Sequence, residues 1–551
     1  MLITDEQLKA LLFKNKLIEQ KGFAEIEQEA KNSECSIEQM LIEKDIISDE
    51  NLGIMISDFL KYPFIVLAKT TISSDVFNII PEKMARRKKV IPFAKDAKGV
   101  KLAMADPSNK EIVQMISKKI GLPIATYLAT EQDIRNTLKI YRKDLQGTFD
   151  QLIATSEVPV SKMVNLLIDC AAQDKASDIH IEPQEKNSLV RFRIDGILHD
   201  VLSFPKGLHD QIITRIKILS RLRTDEHLSP QDGKMRIALE EEVIDVRVSI
   251  LPVTEGEKAV LRLLSSKFRK FSLTDLGMNE RDLKKVSEAY DKSYGMILST
   301  GPTGSGKTTS IYAILKLLNT REKNITTIED PAEYKIKGVN QINVNTKTNL
   351  TFANGLRSIL RQDPNIIFVG EIRDSETAGI AVNASLTGHL VLSTLHTNDA
   401  ATSLPRLIDM NIEPFLVAST VNVIIAQRLV RSICEICKST RNITKEELLK
   451  NLPETIVKKY VQNKDRITIY QGAGCKICRM TGYLGRIGVF EVLEVTKSIR
   501  DLITKRQDAD IIAQKAIEEG MTTMLDDGLD KVMKGLTTIE EVLRVTKIQS
   551  K

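Results

Sequence analysis

The chain has no tryptophan, only six histidines, and no apolar run near the ~20 residues that a membrane-crossing helix needs. The last absence excludes a helical integral membrane protein. Without tryptophan or a concentrated basic run, a single-stranded nucleic-acid channel is disfavoured, because such channels set stacking aromatics beside a positive groove. Charge of one sign is scarce too: 79 basic and 73 acidic residues leave +6, spread along the chain. That is too little for electrostatic capture of nucleic acid or a lipid surface. The opening Met1-Leu2-Ile3-Thr4-Asp5-Glu6 has no basic segment ahead of an apolar core, so no signal peptide and a cytoplasmic location are expected. A hydrophobic content of 42% and a charged content of 28% are ordinary for a globular protein. The length of 551 residues suggests roughly three or four domains.

Against that plain background one stretch stands out. Met296-Ile297-Leu298-Ser299-Thr300-Gly301-Pro302-Thr303-Gly304-Ser305-Gly306-Lys307-Thr308-Thr309 fits G-x-x-x-x-G-K-[ST] at Gly301, Gly306, Lys307 and Thr308. An apolar run precedes it, and Ile311, Ile314, Leu315 and Leu318 follow at helical spacing. The glycines let consecutive N–H groups close around phosphate oxygens, and the next helix offers its positive end to the same anion. Lys307 is expected to reach the β- and γ-phosphates of ATP and the Thr308 hydroxyl to ligate Mg²⁺, with Thr303, Gly304, Ser305 and Thr309 completing the cradle.

Upstream, Leu12-Phe13-Lys14-Asn15-Lys16-Leu17-Ile18 aligns with Leu41-Ile42-Glu43-Lys44-Asp45-Ile46-Ile47, so a small helical bundle is expected, followed by strands at Val90–Phe93 and Val100–Ala103. Residues 143–158 lack a clear period and read as a linker. A helix from Val160 to Gln173 precedes Ser177-Asp178-Ile179-His180-Ile181-Glu182-Pro183, a strand that places Asp178, His180 and Glu182 on one face. No further ligand cluster accompanies them, so a polar face is favoured over a metal site. Arg193, Arg236 and Arg247, with Arg191, lie on or beside strands. Each is open to two readings, a guanidinium brought to a γ-phosphate or an ordinary salt bridge.

After the phosphate loop, Ile328-Glu329-Asp330-Pro331-Ala332-Glu333 sets acids at a strand end, where open α/β sheets bind ligands. Ile366-Ile367-Phe368-Val369-Gly370-Glu371 resembles a Walker B strand with Gly370 where an aspartate usually stands. Glu371 is placed to orient or deprotonate the attacking water. Thr387 to Asn398 carries His389 and His396, each open to γ-phosphate sensing, subunit contact or a core role. Cys434, Cys437, Cys475 and Cys478 form two C-x-x-C pairs suited to a closed tetrahedral Zn²⁺ site, whereas Cys35 and Cys170 stand alone. The tail is mostly helical, interrupted at Gly520 to Gly528, with a capping box at Thr537 and Glu540.

Taken together, these motifs resemble the type II/type IV secretion ATPase family, specifically the assembly ATPases of type IV pili and type II secretion. In that family the Gly-Glu form of Walker B is usual. The resemblance implies an α/β fold. It comprises an N-terminal module (1–142), a linker (143–158), a PAS-like α+β domain (159–270), a RecA-like P-loop ATPase core (271–430), a zinc-binding insert (431–490) and a helical C-terminal region (491–551). It also implies a homohexamer whose ATP hydrolysis moves one domain against another and drives an inner-membrane platform protein that adds pilin to a fibre. Membrane association would be peripheral, through partners. Glu371, Glu329, Arg193, Arg236, Arg247 and His396 are the catalytic candidates. Retraction ATPases lack the cysteine insert and the long N-terminal module, so assembly is favoured. Relatives that bind cyclic di-GMP carry Arg-Leu-Gly at the head of each repeat. Here Leu8-Lys9-Ala10-Leu11-Leu12 and Ile37-Glu38-Gln39-Met40-Leu41 lack it, which argues for docking instead. Type II secretion or DNA uptake is the alternative. A nucleic-acid motor, or a platform that binds ATP without turnover, is further off.

Overall fold

The structure, a computed structural model, describes residues 3–546 apart from 16, 19–21, 24–25, 28–29, 31–35, 44–45, 68–69, 71, 78, 97–98, 139–144, 156–157, 240–242, 265–271, 451, 462–465 and 476. Cys35, parts of both repeated segments and the ends of the expected linker lie outside the described residues. The chain divides into two compact units, Met1–Lys143 and Asp144–Lys551.

In the first unit, helices Asp5–Lys14, Ile37–Glu43 and Asp49–Leu60 enclose an apolar core that includes Leu8, Leu12, Leu41 and Ile56. Thr4 caps the first helix with a full capping box, and Ser48 caps the third. A three-stranded sheet follows, β1 (Val90–Asp96), β2 (Gly99–Met104) and β3 (Ile124–Leu128). Both strands expected in this region are present.

The second unit opens with a departure from expectation. Residues read as linker form the helix Leu145–Ile153, whose Phe149 is fully buried against Phe204. Such a short helix has little intrinsic stability; packing of its apolar side holds it, and periodicity over so few residues did not reveal it. With helices Val160–Gln173 and His209–Leu219 it covers one face of a six-stranded antiparallel sheet. The strands are β4 (Asp178–Pro183), β5 (Asn187–Ile194), β6 (Ile197–Pro205), β7 (Gln231–Ala238), β8 (Val243–Val253) and β9 (Gly256–Leu264), in the order β6-β5-β4-β9-β8-β7. Ile179, Ile181, Val190 and Phe192 turn to the core, so the alternating partners turn to the other face.

The second sheet has seven strands in the order β12-β11-β13-β14-β10-β15-β18. They are β10 (Gly295–Thr300), β11 (Ile325–Glu329), β12 (Asn340–Asn343), β13 (Ile366–Val369), β14 (Leu390–Leu395), β15 (Val421–Ile433) and β18 (Tyr483–Glu494). Every pairing is parallel except β15 with β18. Helices pack on both faces, which is why β10, β13 and β14 are buried throughout their lengths and mostly apolar. Between β15 and β18 a hairpin of β16 (Lys438–Thr444) and β17 (Arg466–Gly472) packs with helices Glu454–Val461, Met524–Met533 and Ile539–Val545. The tail differs from expectation in two details. The helix resumes at Met524 behind a Thr523 cap, and Gly528 lies inside it because Val542 leaves no room for a Cβ. The last helix is capped by Thr538, since the Thr537 hydroxyl is engaged with the Arg431 carbonyl.

Candidate nucleotide site and cysteine cluster

Strand β10 lies between β14 and β15, and its C-terminal end turns into the glycine loop at the centre of the seven-stranded sheet. Gly301 (φ +144°) and Gly306 (φ +91°) are required by space as well as by backbone: a Cβ would lie 2.5 Å from the Gln427 carbonyl oxygen at the first and 2.9 Å from Gln427 Nε2 at the second. The helix Lys307–Leu318 begins directly after Gly306, with no side chain capping its N–H groups. Ser305 Oγ is buried with no hydrogen-bond partner. A polar atom stranded this way fits a loop shaped to receive phosphate oxygens. Lys307 Nζ donates to the carbonyls of Gly301 at 2.7 Å and Pro302 at 3.1 Å, and burial lowers its pKa to about 8 despite the nearby Glu371 carboxylate.

Glu371 follows β13 and is nearly buried. Its Oε1 lies 2.5 Å from Arg373 and its Oε2 3.0 Å from His396 Nε2. The two sequence candidates Glu371 and His396 are therefore in direct contact. The loop holding His396 is tied to the end of β10: Thr300 Oγ1 and Thr397 Oγ1 are 2.5 Å apart, and Thr397 N donates to Thr300 Oγ1. Its other end is held by Glu491 of β18, which accepts from Ala400 N at 2.9 Å. His389 stays by its helix end, 3.0 Å from the Ala384 carbonyl.

The remaining candidates divide. Glu329 is buried, with its carboxylate accepting from Tyr312 Oη, Thr327 Oγ1 and Gln341 Nε2. These bonds hold it between strand and helix and bring it to none of the loop residues. Arg193 pairs with Asp178 and donates to the Gly196 carbonyl, and exposed Arg236 pairs with Asp245. Arg247 alone of the three crosses to the second sheet, donating to the Ala332 carbonyl and pairing with Glu333. The face bearing Asp178, His180 and Glu182 is an ion-pair network with Arg193, Arg262, Arg191 and Lys258.

Gln427, Arg428 and Glu491 were not singled out by sequence. The available signal was their polarity beside the apolar runs Val423–Ala426 of β15 and Val489-Phe490 of β18.

Among the described residues, the four cysteines are the only group of metal-ligand side chains that converge, with their sulfurs within 4.8 Å of one another. The sulfurs lie 3.9 Å apart for Cys434 and Cys475, 3.8 Å for Cys437 and Cys478, and 3.6 Å for Cys475 and Cys478. A tetrahedron with Zn–S bonds near 2.3 Å has edges of about 3.8 Å, so the donor set fits Zn²⁺. Backbone N–H groups of Cys475 and Gly482 point at the Cys478 sulfur. Beside the cysteines, Arg479 pairs with Asp174 and Gly485 N of β18 donates to Asp195, both partners lying in the six-stranded sheet's domain.

No helix among the described residues is long and apolar enough to cross a membrane. A family model described as type II/IV secretion system protein matches residues 154–544, and one described as an MshEN domain matches residues 60–147. The chain is 37% identical over 563 residues to the type IV pilus assembly ATPase PilB of Myxococcus xanthus, covering 98% of each. It is 44% identical over 420 residues to the type II secretion system protein E of Pectobacterium carotovorum, covering 76% of this chain and 82% of that one. The solved ATPase DotB of Legionella pneumophila shares the fold, with a TM-score of 0.52 at 20% identity over 71% of this chain and 96% of that chain. This α/β protein, with its MshEN domain ahead of the phosphate loop, belongs to the type II/IV secretion system protein family.

Proposed function

We propose that this protein is an ATP hydrolase whose turnover drives assembly of a type IV pilus, as a cytoplasmic homohexamer acting on an inner-membrane platform protein. The observation that carries the reading is the likeness to a pilus assembly ATPase across 98% of both chains, the N-terminal unit included. In this reading residues 159–270 are a PAS-like domain and 271–430 a RecA-like core. The module 1–142, the insert 431–490 and the tail 491–551 are proposed with the boundaries expected from sequence, while the expected linker 143–158 holds the helix Leu145–Ile153, which packs with the six-stranded sheet.

At the site, Lys307 and the loop N–H groups of Gly304 to Thr309 would bind the phosphates. Glu371, steadied by His396 and Arg373, would accept the proton of the attacking water. Mg²⁺ would be held by Thr308 and would offset phosphate charge. Arg247 is the arginine whose position supports a role across the cleft. Zn²⁺ would be held by the four cysteines and would contribute folding energy rather than catalysis. ATP need only bind closed and open arrangements of the two sheets differently for its hydrolysis to move them. The N-terminal module is assigned docking, not cyclic di-GMP binding.

Type II secretion is the second reading, favoured by the higher identity, 44%, to a type II secretion protein over 76% of this chain. Disrupting the gene in its source organism tests both. Loss of surface fibres, restored by wild type but not by Lys307→Ala, supports pilus assembly. Unchanged fibres with lost export of secreted proteins supports the second reading.

A further inference from the structure

Two consecutive residues of β15, Gln427 and Arg428, hold the two loops of the site from opposite faces of one strand. Gln427 is 2% exposed, in a strand that is apolar from Val423 to Ala426. A buried amide is costly there unless its polar atoms are partnered. Its Nε2 donates to the Ser305 carbonyl at 2.8 Å, and its Oε1 lies 3.5 Å from Ser299 Oγ. The same amide stands close over Gly306, and its backbone carbonyl close over Gly301. One residue thus defines both ends of the phosphate loop.

Arg428 serves the other loop. Its Nη2 donates to the carbonyl oxygen of Asn398 at 3.2 Å and to Asn398 Oδ1 at 3.1 Å, two residues beyond His396. Its Nε is buried with no hydrogen-bond partner. A planar guanidinium held this way fixes the loop backbone as well as the asparagine side chain.

We propose that Gln427 and Arg428 are positioning residues for ATP turnover, Gln427 setting the curvature of the phosphate loop and Arg428 the placement of His396 against Glu371. This rests on the ATPase reading above. The division of labour follows from what each touches. Gln427 governs groups that bind nucleotide equally before and during reaction, whereas Arg428 governs groups needed only as bonds change.

The full-length protein carrying Gln427→Met, Arg428→Met or Arg428→Lys is compared with wild type in steady-state ATP hydrolysis, binding of a fluorescent ATP analogue and thermal melting. Gln427→Met weakens analogue binding and raises KM about tenfold, with kcat within about threefold. Arg428→Met lowers kcat about tenfold or more with analogue affinity within about threefold, and Arg428→Lys, which restores a donor for Asn398, recovers most of the rate. Where Gln427→Met does not fold, Gln427→Asn, polar but one carbon short, gives the same KM reading. Equal losses of kcat and affinity in both variants, or no rescue by lysine, would overturn the proposal. Wild-type protein that binds the analogue without hydrolysing ATP would overturn the ATPase reading and the Arg428 role, leaving Gln427 to stand or fall on binding alone.

Discussion

Arg247 of β8 and Glu333 beyond β11 are 3.1 Å apart, an ion pair joining the six-stranded sheet to the acidic loop of the seven-stranded one. The same guanidinium donates to the Ala332 carbonyl, so the contact is fixed to backbone as well as to charge. If Arg247 turns from Glu333 to a γ-phosphate during turnover, Arg247→Ala lowers kcat by about tenfold or more, in the range of arginine contributions to phosphoryl transfer. Glu333→Ala, which frees the arginine, spares most of the rate. An ATPase assay on both variants decides; equal loss in both assigns the pair a purely structural part.

Glu371→Gln keeps the contacts to His396 in shape but removes the base. ATP stays bound and hydrolysis falls by about two orders of magnitude or more. Nucleotide recovered from the purified variant is expected to be ATP. Unchanged turnover would remove Glu371 from the reaction.

The buried Lys307 ammonium titrates near pH 8, below an ordinary lysine, because burial disfavours its charge. The folded form is therefore penalised fully below pH 8, and the penalty disappears as pH rises from about 8 to 10.5. Phosphate binding needs the charged form, so the affinity trend is opposite. ATP affinity falls by about tenfold per pH unit above 8, and binding near that pH takes up protons. Titrations at pH 7 and 9, in two buffers of different ionisation heat, measure both effects.

Glu541 accepts from Arg431 N and Nη2 and from Arg544 Nε and Nη2. Despite burial, which raises it, these partners bring its pKa down to about 2. Its contribution to stability is complete above pH 4.5 and is lost as pH falls from there towards 2. Glu541→Gln lowers the melting temperature at pH 7 and flattens the acid limb of stability between pH 5 and 3. A melt series across that range checks it.

Elemental analysis is expected to find one zinc per chain. A strong chelator, or Cys475→Ser, lowers the melting temperature by several degrees without abolishing nucleotide binding, because the cysteines are not among the groups that surround the phosphate loop.

The site was legible where its chemistry is contiguous in the chain. The loop Gly301 to Thr308, the strand leading to Glu371 and the paired cysteines each announce themselves within a few residues. Gln427 and Glu491 do not, since their partners Ser305 and Ala400 lie 122 and 91 residues away. Strand alternation bears on Glu329 too. Acids at a strand end mark a binding edge, but this one points inward to Tyr312, and the pattern alone cannot tell which acid turns which way. The arginines were undivided in the same way: Arg193, Arg236 and Arg247 look alike in sequence, and among the three only Arg247 reaches across to the seven-stranded sheet's acidic loop. Helix Leu145–Ile153 owes its form to Phe149 entering a core built by strands far along the chain.

The sheet that carries the phosphate loop is completed by β18, which begins at Tyr483, after the whole cysteine hairpin has been made. Until then β15, mostly apolar and buried along its first half in the native fold, is an open edge on a growing chain. Cys434 follows directly on β15, and Cys475 and Cys478 come shortly before β18, so four sulfurs gathered at one point draw the two strands together. That shortens the loop that must close before the edge is covered. With Zn²⁺ held there as proposed, metal supply during synthesis would govern how long each nascent chain stays exposed to aggregation, and a cell short of zinc would lose yield of this protein before it lost activity of the copies already folded.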